Sequence, residues 1–218
     1  MPRPKNNELH EQMTREARRL FIEKGYVATS YADIAQACGV AKTNVQQHFP
    51  AKDRFITDFY RDLLDELDAY LADQDKRTNN YYVNLYHIGQ LLFAFLLNSE
   101  AMRRFTMELI SDRNLTEIMI DQEVEWATNY EVGFSKEELS RFEDDIAMIM
   151  GGIYELLYRK LRNNEVPSPQ AIQSRIMTQF AFLRGMTVEE AQALFPADLV
   201  SEQEFYTVTQ LLQQRLFS

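Results

Sequence analysis

One cysteine, seven glycines and six prolines in 218 residues leave this chain with few of the devices on which disulfide-stapled or loop-rich folds depend. The single Cys38 cannot close an intramolecular disulfide or supply paired thiolates to a metal, and its place on an inward helix face makes it small core filler. With so little Gly and Pro punctuation and no sustained two-residue alternation, long helices are the economical reading, and an all-α fold follows. No run of about 18 apolar residues occurs, so no membrane partner is expected. The opening Met1-Pro2-Arg3-Pro4-Lys5 has no apolar signal-peptide segment, which points to the cytoplasm. Catalytic patterns are missing as well: there is no His-Glu-x-x-His, Gly-x-Gly-x-x-Gly or Gly-Lys-Ser/Thr loop. A di-iron bundle needs Glu-x-x-His, yet Asn84, Asn7 and Val45 stand three residues before His87, His10 and His48. Adjacent Asp144 and Asp145 point about 100° apart on a helix, as solvated acids do. No catalytic residue, metal ligand or cofactor is expected, and a binding protein is favoured over an enzyme.

What is present is concentrated in residues 30 to 55. Ile34, Ala35 and Cys38 share one face of a short helix, Gly39 supplies a turn, and Val40, Val45 and Phe49 complete a wedge with a second helix. Glycine tolerates the positive φ of a helix C-cap, so the two helices can cross steeply. The second helix then turns outward a polar face of Lys42, Thr43, Asn44, Gln46 and Gln47, without an acid, suited to base edges and phosphates. This reads as a helix-turn-helix, and it points to double-stranded DNA as the expected partner. Ser30 with Asp33 resembles a capping pair; a helix N-terminus also attracts phosphate, so Thr29, Ser30 and Tyr31 are backbone-anchoring candidates. Lys52 has the same double reading. His48 either touches phosphate or packs beneath the helix.

The net charge of −10 argues against nucleic acid until its distribution is seen. Residues 1–60 hold nine Lys or Arg and seven Asp or Glu, a net of +2, whereas residues 61–218 hold fourteen and twenty-six, a net of −12. A basic arm at Arg3 and Lys5 is a further candidate for backbone contact. Ahead of the motif, Leu9, Met13, Ala17, Leu20 and Phe21 stripe a first helix that Gly25 ends.

Phe21 to Phe55 resembles the N-terminal DNA-binding domain of the TetR family of bacterial transcriptional regulators. The resemblance is carried by Phe21, Gly25-Tyr26, Thr29-Ser30, Asp33-Ile34-Ala35, Gly39-Val40, Lys42, His48-Phe49-Pro50 and Lys52. The chain departs from the family's usual Gly-Thr-Leu-Tyr at Thr43, Asn44, Val45 and Gln46. It implies a DNA-binding domain over residues 1–52 and a helical domain over 53–218 that dimerises and usually holds a small-molecule pocket. It also implies a repressor, binding a palindromic operator as a homodimer and released by an effector.

The residues of the second domain permit these roles. A helix from Ala51 to Tyr70 repeats Phe55, Phe59, Leu63 and Leu67, and a nearly all-apolar helix spans Tyr82 to Leu96. Helices follow over Ala101 to Ile110 and Leu115 to Tyr130. Ser135 with Glu138, Ser168-Pro169, Thr187 with Glu190 and Ser201 with Glu204 mark four more helix starts. Ten or eleven helices are expected. An apolar cavity is expected near Tyr86, His87, Phe93, Met107, Met119 and Trp126. The dimer face is expected on Ile146–Leu161 and Ala171–Phe182, with Met148, Gly151, Gly152, Glu155, Leu156, Ile172, Ile176 and Gln179 as its contacts. For both sets, plain core packing is the alternative.

Overall fold

Capping residues and apolar spacing fix nearly every helix boundary. The computed structural model describes residues 4–128, 135–195 and 199–217, and among them the chain forms eleven helices and no strand. These are α1 (Pro4–Lys24), α2 (Tyr31–Cys38), α3 (Lys42–His48), α4 (Arg54–Asp73), α5 (Tyr81–Leu97), α6 (Glu100–Ser111), α7 (Arg113–Thr128), α8 (Lys136–Arg162), α9 (Pro169–Leu183), α10 (Val188–Leu194) and α11 (Glu202–Phe217). The all-α expectation holds. The arm residue Arg3 and the side chain of Lys5, like Tyr130, lie outside what is described.

Reciprocal capping boxes open α2, α8 and α10 at Ser30, Ser135 and Thr187, each side chain accepting from the N3 amide while the N3 acid accepts from the cap amide. Ser168 caps α9, with Pro169 at the position where a missing N–H costs nothing. At α11 only half of the expected box forms: Ser201 accepts from the Glu204 amide, but the Glu204 carboxylate turns inward to His87. Helix α4 begins at Arg54 rather than Ala51, because residues 51–53 form a turn closed by Arg54 N–H to Ala51 O and Phe55 N–H to Lys52 O.

Helix α5 is central, packed against α4, α6, α9 and α11. Its mean apolarity is the highest of any of these helices, which is why it is surrounded. Helix α4 buries Phe55, Phe59, Leu63 and Leu67 on one stripe, each side chain contributing roughly 1.5–3 kcal/mol when fully buried. Its first turn touches the helix-turn-helix through Phe55, whose ring stacks 3.7 Å from Phe49. Its middle reaches α7. One helix thus runs from the helix-turn-helix into the body of the protein.

Candidate nucleic-acid interface and interior cavity

The turn between α2 and α3 is built as its sequence predicts. Gly39 sits at φ +66°, and Gly39 N–H and Val40 N–H donate to the Gln36 and Ala35 carbonyls, closing α2. Helix α3 fully buries one side chain, Val45, while Lys42, Thr43, Gln46 and Gln47 are exposed and Asn44 is half-buried. The amide-rich face is therefore presented to solvent. His48 is half-buried, its ring 5.6 Å from that of His10, which stacks on Phe49 at 4.5 Å. Burial, and secondarily His10, hold His48 below its ordinary pKa. This is the packing role.

Three of the expected phosphate contacts are engaged elsewhere. Thr29 is buried, its hydroxyl donating to Gly25 O at 2.7 Å and its N–H to Tyr26 O at 3.2 Å, so both of its donors are committed inside. Ser30 donates its N–H and its hydroxyl to Asp33 Oδ2 at 2.8 and 2.6 Å, which is the capping role. Asp33 is held well below the usual carboxylate range by Lys24, 2.7 Å away, and by Ser30. Tyr31 donates its hydroxyl to Phe49 O at 3.0 Å, tying α2 to the end of α3. Lys52 donates to Tyr26 O and lies 4.0 Å over the Tyr26 ring, and burial lowers its pKa. An ammonium has three donors, and the bond to Tyr26 O uses one of them.

Much of the positive charge counted in the sequence serves structure. Arg18 is buried and pairs with Asp62 at 2.5 Å while donating to Asp58 O at 3.2 Å, fixing α1 to α4. Arg19 bridges Glu16 and Glu23 along its own helix. Lys42 and Arg54 are exposed, one at the start of α3 and the other at the start of α4. Arg54 escaped the sequence reading, its only signal being its place two residues beyond Lys52.

A second set of contacts joins the helix-turn-helix to α6. Arg104 donates to the Ile22 and Glu23 carbonyls at 2.5 and 2.9 Å, satisfying the end of α1. Glu108 accepts from Val27 N–H at 3.0 Å and closes over Gly25, which stands at φ +100°. An added Cβ at Gly25 would strike the Glu108 carboxylate.

Within the body lies a cavity of about 90 Å³, bordered by Leu64 of α4, by Leu85, Ile88, Gly89, Leu92 and Phe93 of α5, by Glu123, Trp126 and Ala127 of α7, and by the inner faces of α8 and α9. Of the six residues expected near a cavity, Phe93 and Trp126 border this one. The other four expected residues do not. Met119 is core, Tyr86 packs against Phe195 at 5.2 Å, and Met107 borders a separate surface hollow. His87 faces Glu204, which is 2.9 Å away and also pairs with Lys76. Burial keeps His87 below its ordinary pKa although Glu204 opposes this.

The residue missed in the sequence is Glu123. It is buried, and its Oε1 accepts from Tyr60 at 2.9 Å and from Tyr154 at 2.5 Å, while the two hydroxyls are 2.7 Å apart. Burial pushes its carboxyl up to about 7, against the lowering effect of the two tyrosines. Its signal was available: Leu115, Met119, Glu123 and Ala127 recur every four residues along α7, placing an acid in an inward stripe. Gln173 is the other polar neighbour of the cavity, donating to Leu85 O at 3.1 Å and lying where a Cβ on Gly89 would be.

Helices α8 and α9 have a second, outward face. Met148 of α8 and Phe182 of α9 are 62% and 54% exposed, Leu183 next to Phe182 in the chain is exposed too, and nothing stands within 4 Å of a Cβ placed on Gly151 or Gly152. Glu155 and Gln179 are also exposed, and Leu156 is half-buried. Ile172 and Ile176 correct the sequence expectation: they are 2% and 8% exposed and point into the subunit, because α9 turns that stripe toward α5.

Comparison with known proteins agrees with this architecture. Residues 14–57 match the family model of bacterial regulatory proteins of the tetR family. The TetC protein of transposon Tn10 from Escherichia coli is 32% identical over 72 residues, which are 33% of this chain and 36% of that protein, so the match spans about a third of the relative's length. TylP, a tetR regulator from Streptomyces fradiae, shares the fold with a TM-score of 0.57 at 16% identity, over 96% of this chain and 92% of its own. RolR, solved with resorcinol, aligns with a TM-score of 0.53 at 12% identity, over 90% of this chain and 97% of its own. The matched residues carry the glycine turn and the exposed helix described above, and over residues 14–57 the chain is similar to the bacterial regulatory proteins of the tetR family.

Proposed function

We propose that this protein is a DNA-binding transcriptional repressor that acts as a homodimer on a palindromic operator and is released by a small-molecule effector, with residues 1–52 reading DNA and 53–218 pairing subunits and sensing the effector. The observation that carries this reading is α3, which buries Val45 and exposes Lys42, Thr43, Gln46 and Gln47 around half-buried Asn44. Such a helix fits a major groove, and two of them about 34–36 Å apart read half-sites one turn apart. Asn44 or Gln46 pairs with adenine, and Thr43 and Gln47 extend base contact. Lys42, Arg54 and Lys52 hold phosphate. Tyr31 and His48 position α3 from behind. The exposed apolar strip on α8 and α9, with Met148, Gly151, Gly152 and Phe182, supports a four-helix bundle between subunits.

Effector control follows from α4. Leu64 borders the cavity, Tyr60 binds Glu123, and Phe55 stacks on Phe49 at the end of α3, all on one helix within about 14 Å of rise. A ligand that fits the cavity in only one setting of α4 biases the spacing of the two α3 helices. Operator fragments selected from random DNA and measured by fluorescence anisotropy test the reading. Asn44→Ala is expected to cost about 1–3 kcal/mol and to relax preference at one base position. Lys42→Ala is expected to weaken all sequences alike and reduce the salt slope. A protein that selects no sequence, or an Asn44→Ala variant with unchanged preference, would refute it.

A further inference from the structure

The cavity holds one functional group that the protein leaves incomplete. Its wall is hydrocarbon and aromatic apart from Glu123 and Gln173, and the Gln173 amide already donates to Leu85 O. Glu123 Oε1 takes both tyrosine hydroxyls, whereas the buried Oε2 has no hydrogen-bond partner among the described residues. Among the described residues, neither Lys nor Arg borders the cavity. A buried carboxylate oxygen without a donor carries a desolvation cost that an entering group can relieve.

We propose that the cavity binds a small apolar amine, a single ring or short hydrocarbon bearing one protonated nitrogen, with Glu123 Oε2 as its counter-ion. This rests on the reading of residues 53–218 as the effector domain and names the effector's class. An ammonium supplies both a donor and a compensating charge. A hydroxyl supplies only the donor, and a carboxylate is repelled. Phe93, Trp126 and Phe180 line the site, and an aromatic ring presenting its face to an entering cation attracts it further. Size sets the upper bound: about 90 Å³ is less than the roughly 150 Å³ that an engineered apolar cavity gives to benzene, so one ring requires modest movement of Met150 and Met177. Protons balance simply. If the acid is protonated in the empty site, a cationic ligand releases that proton to water, and a neutral amine accepts it. The carboxylate so formed strengthens the hydrogen bonds that Oε1 already accepts from Tyr60 and Tyr154, and Tyr60 carries the change into α4.

Trp126 is the sole tryptophan and borders the cavity, so its fluorescence reports occupancy directly. The full-length protein is titrated at pH 8 with benzylamine, benzyl alcohol and benzoate, and Glu123→Gln is titrated in parallel after its melting curve is recorded. Benzylamine is expected to bind the native protein at least about tenfold tighter than benzyl alcohol, as a charge-assisted bond requires, with benzoate weakest. Glu123→Gln is expected to reduce benzylamine to the level of benzyl alcohol while leaving benzyl alcohol within about twofold. Equal binding of amine and alcohol by the native protein would overturn the amine class and keep the effector cavity, whatever the variant does. Undiminished benzylamine binding by Glu123→Gln would overturn the counter-ion. Silence toward all three probes would overturn both the ligand class and the effector reading of this cavity.

Discussion

Glu123 couples stability to pH in a direction opposite to that of most carboxylates. Below its ordinary value of 4.5 the group is protonated in both folded and unfolded chains and contributes nothing. Between 4.5 and about 7 the unfolded chain releases the proton while the folded one keeps it, so stability falls as pH rises; above 7 the full cost is present. That cost is roughly 3 kcal/mol. Glu123→Gln keeps an acceptor for both tyrosines and removes the ionisation, so urea denaturation is expected to show a variant more stable than native at pH 8, by up to roughly 3 kcal/mol, and nearly equal at pH 4.5. An unchanged difference across this range would show that Glu123 titrates normally. The residue was legible only in part. Its place in the inward stripe of α7 can be counted, but α7 also carries the exposed acids Glu117, Asp121 and Glu125, and periodicity alone does not say which acid lacks solvent. Glu204 was misread for a similar reason. Three residues after Ser201 it satisfies a capping pattern, yet the buried His87 and half-exposed Lys76 offer its carboxylate a stronger pair than one backbone amide.

Two glycines flank the helix-turn-helix and differ in what they tolerate. Gly39 ends α2 at φ +66° with open space around a notional Cβ, so Gly39→Ala suffers only backbone strain, about 1–2 kcal/mol. Gly25 stands at φ +100° beneath Glu108, so alanine there adds a clash and displaces the acceptor of Val27 N–H. Denaturation midpoints are expected to fall further for Gly25→Ala than for Gly39→Ala, and Glu108→Ala in the Gly25→Ala background is expected to recover part of the loss. The reverse order would mean that α6 does not press on this turn. Both glycines were visible as helix terminators from sequence, as were the starts of α8, α9 and α10, because caps are local chemistry. What presses on Gly25 was not visible, since Glu108 lies 83 residues away and its role depends on how α6 meets α1. The loss of Thr29 and Ser30 as phosphate donors is local instead: their donors are used by Gly25, Tyr26 and Asp33, three or four residues away, and for Ser30 the capping pair was already legible in the sequence.

At the scale of the whole molecule, α8 and α9 form a layer with two faces. The inner face, through Ile146, Ile149, Ile176 and Phe180, borders the cavity, and the outer face leaves Met148, Phe182 and Leu183 in water. The sequence identified the helices but not their rotation, so Ile172 and Ile176 were assigned outward when they complete the inner face. Large exposed apolar side chains clustered on one face are covered in most soluble assemblies, and a stable interface buries about 1,200–2,000 Å² in total. Met148 is the side chain to alter because its exposure makes its own contribution to subunit folding small. Met148→Glu is expected to leave the melting temperature at high dilution nearly unchanged while sedimentation equilibrium at micromolar concentration shifts from dimer to monomer. Operator affinity is expected to fall with dimerisation, since a monomer engages one half-site, and non-specific DNA binding per subunit is expected to persist. A Met148→Glu protein that remains dimeric would move the interface away from this face, and with it the route by which a ligand between α5, α7 and the α8–α9 layer could reset the distance between two α3 helices.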